Sequence, residues 1–351
     1  MTVGRGANVA SRIDRGRIGA FAAIIVAALG VAAFYRPEPA PRAPFAAIAA
    51  NERESVAADA SLDAFGASRE VRVRVALPEQ RVEFPVQVGG EIESLSYEWI
   101  RDRDSVGEDL PKPLNGDGFV APRQPGFYHL AIERGSARQI LPEPTLAVLV
   151  PFSRKVGSVL NGYRIGTYIA ERLAQHDHPA GFVEVSAGDV DLKVSEHLRL
   201  GDFLTHDQQD SVWPKYVALN PRLLDKLELV FANLGERARM QAAGDASNEE
   251  SASYVSFDVH SGFRTPAHNR AVWLSAQDSR HEYGDAADLA IDADGDGRVT
   301  LRDELLVAHA VDEVEAEHPE LVGGLGLYTS GRYNKPYVHI DARGTRSRWR
   351  G

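Results

Sequence analysis

Cysteine is absent from all 351 residues. That excludes disulfides, a thiolate nucleophile and cysteine-held zinc, and it leaves the compartment open. Basic charge is also short. There are 39 Lys and Arg against 50 Asp and Glu, a net charge of -11 at pH 7. A chain of that sign is a poor match for a nucleic-acid backbone, whose partners carry basic patches, so nucleic acid is not expected as a partner. What remains is ordinary for a globular protein: 44% hydrophobic and 25% charged residues, enough for two domains after a targeting segment.

The N-terminus has the form of such a segment. Arg5, Arg12, Arg15 and Arg17 stand against one acid, Asp14, and residues 18–35, IGAFAAIIVAALGVAAFY, carry no charge. The run is at the short end for a membrane-spanning helix and longer than a usual signal-peptide core. With the basic flank staying in the cytoplasm, residues 1–35 read as an anchor in the inner membrane and the rest as exported. A cleaved signal peptide is the alternative, and a buried soluble helix a weaker one. Pro37, Pro39, Pro41 and Pro44 and the polar, Ala-rich run after them make residues 36–69 a linker.

Residues 70–150 alternate as strands do, in RVRV, RVEFPVQV, SYEWI, FYHLAIE and TLAVLV, with Gly and Pro between them. Five or six short strands predict a small immunoglobulin-like β-sandwich. His129 falls on its polar face, opposite the core positions Tyr128, Leu130 and Ile132. From residue 151 helical patterns mix with short strands. Residues 162–176 space Ile165, Ile169 and Leu173 as an amphipathic helix would. A second helix starts at Asn220 and Pro221, ends at Gly235, and buries Leu224, Leu227, Phe231 and Leu234. Residues 236–253 read as a polar loop.

The chemistry concentrates in SRHEYGDAADLAID, residues 279–292, and YVHID, residues 337–341. On one helix His281 and Asp288 would lie about 10 Å apart along the axis, too far to share a metal. Gly284 is therefore expected to turn the chain and Asp288 to return on a strand. AADLAID puts Ala287, Leu289 and Ile291 on one face and Ala286, Asp288 and Ala290 on the other. YVHID puts Val338 and Ile340 on the core face, with Tyr337, His339 and Asp341 opposite. Neighbouring strands would bring Asp288 and His339 to one surface, and with His281 they suit one zinc ion that keeps a fourth position open.

These segments, together with the upstream SGFRT, resemble the zinc D-Ala-D-Ala carboxypeptidase family and its peptidoglycan endopeptidase relatives. The resemblance runs over about the last 200 residues, with three segments in matching order. It implies a hedgehog/DD-peptidase-like α+β fold for residues 151–351, a small antiparallel sheet with helices. It also implies a zinc metallopeptidase acting on peptidoglycan stem peptides of the cell wall, in the periplasm. By the same resemblance Arg264 holds substrate or the developing oxyanion. His260 and His268, beside it, read as bystanders. The family's general base is a Glu three residues before the last His, or a His two before it; here those positions are Pro336 and Tyr337. Asp341, on the strand face of His339, is the best remaining carboxylate, ahead of Glu282 and Tyr337. A branch of the family with the same aromatic-Val-His-Val/Ile-Asp string shares this departure. The rival reading is a metal-braced module that binds cell-wall peptides or another protein without cleaving them.

One further signal stands apart from the resemblance. Residues 292–303 have EF-hand spacing, with Asp292, Asp294 and Asp296 at positions 1, 3 and 5. Gly297 is at 6, the Arg298 carbonyl at 7, Thr300 at 9 and Asp303 at 12. Calcium is the expected ion, as a staple beside the zinc strand. The helix after it is expected to pack through Leu305, Leu306, Ala308 and Val311. The basic tail RGTRSRWRG reads as a solvated or polyanion-facing end.

Overall fold

The computed structural model describes residues 66–351, apart from 85, 90–93, 103–109, 115–117, 174–175, 245–254, 274 and 330–335, and two earlier strands, Phe45–Ile48 and Ala58–Ala60. The apolar segment 18–35 lies outside the described residues, in which no helix is long and apolar enough to cross a membrane. The stretch read as a linker is partly ordered. Both early strands pair with Val86–Gly89, one parallel and one antiparallel.

Residues 70–150 build a five-stranded sheet from β1 (Val73–Ala76), β2 (Ser96–Arg101), β3 (Lys112–Pro113), β4 (Gly126–Arg134) and β5 (Ala137–Val148), in the order β1-β5-β4-β2-β3. Alternation explains it: Tyr128, Leu130 and Ile132 of β4 all point into one aromatic core. There Trp99 meets Phe84 edge-on at 5.3 Å, and Phe119 lies against Phe84, Tyr97 and Trp99.

A second, larger core lies under the rest of the chain, and Val71, just before β1, reaches into it with Val73, Phe127 and Ala147 of the first sheet. It begins with β6 (Val150–Pro151), β7 (Gly181–Val185) and β8 (Lys215–Val217), ordered β6-β7-β8. The helix expected over residues 162–176 does not form. Residues 159–164 make a hairpin and Ile169–Glu171 a single 3-10 turn. Gly162 and Gly166 sit at φ +90° and +95°, which breaks a helix every few residues. Gly166 also lies so close to the Ala267 backbone that a Cβ would come within 2.5 Å of its nitrogen.

The second helical pattern is better founded. α1 (Pro221–Gly244) starts where Asn220 Oδ1 accepts from the Arg222 amide at 3.0 Å, and it buries Leu224, Leu227, Phe231 and Leu234. It does not stop at Gly235 but runs on to Gly244. A short α2 (Pro266–Ala271) follows, capped by Thr265.

The sheet that carries the site is made of β9 (Ser256–Ser261), β10 (Ala286–Asp292), β11 (Gly324–Tyr328), β12 (Tyr337–Asp341) and β13 (Ser347–Arg350), ordered β9-β10-β12-β11-β13. α3 (Leu301–Glu317) packs on it and on α1. Its buried residues include Val307, Ala310, Val311 and Val314; of the expected stripe Val311 is buried and Leu306 and Ala308 pack partly buried on the core, while Leu305 is exposed. The basic tail is also corrected. It is no loose end, because β13 runs parallel to β11 and closes the sheet.

Candidate metal centre

The strand period places the centre. β10 and β12 run antiparallel with Asp288 opposite His339, so both side chains rise from one face. His281 arrives from the 3-10 turn Arg280–Tyr283, which ends at Gly284 with φ +72°. That left-handed residue is obligatory, because a Cβ on Gly284 would run into the Ala218 carbonyl. The Gly284 carbonyl in turn accepts from the Asn220 amide at 3.1 Å, tying the turn to the start of α1.

The three side chains converge. His281 Nε2 lies 3.2 Å from Asp288 Oδ1 and 3.1 Å from His339 Nδ1, and His339 Nδ1 lies 2.9 Å from Asp288 Oδ1. All three residues are buried, and together they form a group that can hold a metal ion. Donors around a tetrahedral zinc with bonds of about 2.0–2.1 Å stand roughly 3.3 Å from one another, so the set fits that ion.

Each ligand is held from behind. His281 Nδ1 donates to the Gly262 carbonyl at 2.6 Å, which leaves Nε2 as the lone pair. His339 Nε2 faces Asp341 Oδ2 at 3.1 Å, which leaves Nδ1 for the centre. Asp288 Oδ2 accepts from Arg264, whose Nε donates to Ser261 Oγ at 2.7 Å. Each carboxylate thus has its own arginine. Arg343 grips Asp341 through Nε at 2.9 Å and through its own amide at 3.1 Å.

The electrostatics of His281 and Asp288 suit a metal site, whereas those of His339 favour a proton that a cation must displace. Burial lowers the His281 pKa below the usual imidazole value, and the attraction of Asp288 does not restore it. Burial would raise Asp288, but His281 and His339 pull it well below the usual carboxylate range. Burial opposes a charge on His339, yet the hydrogen bonds to Asp288 and Asp341 raise its pKa. A neutral His281 and an ionised Asp288 are the states a metal requires.

Asp341 is not where a general base would stand. It is fully buried behind His339, on the nitrogen that turns away from the centre. Its oxygens accept from the Gly324 amide at 2.7 Å and from Arg343 and His339. Burial pushes its pKa up, but those bonds hold it far below the carboxylate range. Its place is that of an orienting carboxylate, and the sequence order alone could not separate the two roles. Glu282 is also turned elsewhere: Asn269 Nδ2 donates to its Oε1 at 2.7 Å, and burial raises its pKa to about 7. Arg264 is buried and donates to Asp288 and to Ser261. His260 lies beside Tyr337, and His268 sits on α2; neither belongs to the converging group.

The loop 292–303 joins β10 to α3, so both candidate sites share one strand. Asp292, Asp294 and Asp296 do gather. Asp292 Oδ2 accepts from the Gly297 amide at 2.8 Å, and Asp294 Oδ2 pairs with Arg302 at 3.0 Å. Thr300 and Asp303 do something the spacing did not foretell. They close a capping box on α3, with the Thr300 hydroxyl and amide each donating to Asp303 Oδ2 at 2.8 Å. Asp303 Oδ1 accepts from the Ala293 amide at 2.8 Å. The side chains that sequence reading missed around the main centre are Ser261, Arg343, Trp349 and Tyr328. Ser261 stands within the SGFRT segment, and Arg343 lies two residues beyond Asp341, past the end of β12.

No family model, curated protein or solved structure matches the chain.

Proposed function

We propose that the chain is a zinc-dependent peptidase that hydrolyses amide bonds in peptidoglycan stem peptides, of the D,D-carboxypeptidase or endopeptidase type. One observation carries the metal part. Three donor atoms from separate segments stand 2.9–3.2 Å apart, and the other polar atom of each ligand is already satisfied. Once His339 gives up the proton it shares with Asp288, the three atoms can offer their lone pairs to one cation. The substrate class rests on the sequence resemblance, as does the exported, membrane-anchored setting.

Zinc held there supplies a Lewis acid that polarises a carbonyl and acidifies water. The chain's own residues do the rest. His281, Asp288 and His339 bind it, and Gly262, Asp341 and Arg264 fix their orientation. A base must still take a proton from water, and the family's usual positions hold Pro336 and Tyr337. Asp341 lies behind His339. This favours a second reading, a metal-braced module that binds cell-wall peptides or another exported protein without cleavage. For the loop 292–303 we propose calcium on Asp292, Asp294, Asp296 and the Arg298 carbonyl, as a staple between β10 and α3.

The test is elemental metal content beside digestion of purified muropeptides, for wild type and His281→Ala. One zinc per chain with cleavage that the variant loses supports the enzyme. Zinc without cleavage of any cell-wall peptide leaves the binding module. No zinc after supplementation overturns both.

A further inference from the structure

The basic tail has a place at the metal centre that its sequence does not announce. Across the sheet, Ser261, Asp288, His339, Gly326 and Trp349 lie in one row, each opposite the next on adjoining strands. The row alternates chemistry with a gap. Asp288 and His339 are ligands of the proposed centre, Gly326 has no side chain, and Trp349 comes from the last strand. Through that gap the Trp349 indole leans over β11 and reaches His339, ring centres 5.2 Å apart. A Cβ on Gly326 would come within 2.5 Å of Trp349 Nε1 and Cε2. The glycine is therefore what lets the indole lie there.

Two further contacts fix the indole. Its Nε1 donates to Tyr328 Oη at 2.8 Å, and Tyr328 stacks on Tyr337 with ring centres 4.6 Å apart. On another side the Arg343 guanidinium lies 5.5 Å from the Trp349 ring centre. Arg343 is the residue that grips Asp341, and Asp341 holds His339 Nε2. The contacts form a closed circuit: His339, Asp341, Arg343, Trp349 and back to His339. One imidazole nitrogen is committed to Asp341, the ring is braced by the indole, and only Nδ1 is left to face Asp288 and His281.

We propose that the C-terminal strand is part of the metal centre and that Trp349, reaching across Gly326, is a positioning residue for His339. The proposal rests on reading the triad as a metal site. It predicts that the last strand is needed for metal affinity although it contributes no ligand. Outer partners of a metal-binding His are worth roughly 10–100-fold in affinity.

The experiment uses the full chain, with zinc affinity measured by competition against a chromophoric chelator. Wild type is compared with Trp349→Ala, Gly326→Ala and Trp349→Phe, and the melting temperature of each is taken without metal. Trp349→Ala and Gly326→Ala are expected to weaken zinc by roughly tenfold or more, with Trp349→Phe in between. The cobalt-loaded protein adds a signature that a purely structural role would not move. Its visible spectrum shifts in the Ala variants, and cobalt quenches indole emission less in Trp349→Phe than in wild type. Should an Ala variant fail to fold, Trp349→Phe decides through affinity and quenching. Variants that bind zinc within about twofold of wild type, with an unchanged cobalt spectrum, overturn the proposal and leave the triad standing. A wild-type chain that binds neither zinc nor cobalt overturns the metal reading and this one with it.

Discussion

Replacing Asp341 by Asn keeps its shape and removes its charge, and so separates orienting from proton transfer. With the carboxylate behind His339, Asp341→Asn is expected to weaken zinc by about 10–100-fold without abolishing binding. Asp288→Asn, which alters a ligand, should cost more. Competition titration of both variants decides, and equal losses would contradict the orienting role. Gly284 is a second test at this scale. An Ala there must take φ +72° and meet the Ala218 carbonyl. The left-handed conformation alone costs about 1–2 kcal/mol for a residue with a Cβ, so Gly284→Ala should lose at least that in urea unfolding. Single residues were the most legible level of the sequence. His281, Asp288, His339 and the turning glycine could be read because their chemistry is scarce and their spacing geometric. The partners that hold them could not. Gly262 acts through its carbonyl, and Trp349 acts only because β13 lands beside β11 in one register.

At the scale of elements, period decided what could be read. AADLAID and YVHID alternate cleanly and form β10 and β12 as expected. Residues 162–176 carry helical spacing, yet positive-φ glycines make them a hairpin and a turn. Of the spaced residues only Ile165 is buried in the shared core and Leu173 is exposed, so the spacing marks no helix face. The end of α1 differs for the opposite reason: Gly235 carries the pattern of a stop signal, yet it lies inside a helix that tertiary packing carries on. That gives a prediction of favourable sign. Gly235 is an interior helical residue with open space where a Cβ would stand. Gly235→Ala should therefore raise stability by about 0.5–1 kcal/mol. A lower urea midpoint would mean that the backbone at residue 235 needs its glycine.

For the whole molecule, the question is how the first sheet is joined to the part that carries the centre. The seam is backbone and charge together. The Arg72 amide donates to the Val194 carbonyl and the Glu196 amide to the Glu70 carbonyl, both at 2.9 Å. The Ala67 and Ser68 amides donate to Asp225 of α1 at 2.8 and 2.7 Å. No sequence pattern announces such a seam, because it pairs segments more than a hundred residues apart. At its centre His197 Nδ1 meets Glu228 Oε2 of α1 at 2.6 Å, and the His197 amide donates to Glu228 Oε1 at 2.9 Å. Glu196 and Glu70 add negative charge, and Phe231 and Phe257 flank the ring. The hydrogen bond to Glu228 raises the His197 pKa above its usual value, against the effect of burial. A raised value means that the folded chain holds the proton more tightly than the unfolded one. The resulting stability is fully present below the unfolded imidazole pKa of about 6.5. It is lost as pH rises through the higher folded value. His197→Gln should therefore lower the urea midpoint most at mildly acid pH, and the gap from wild type should narrow as the pH becomes alkaline. A gap that stays constant across that range would show that the His197 charge contributes nothing to stability.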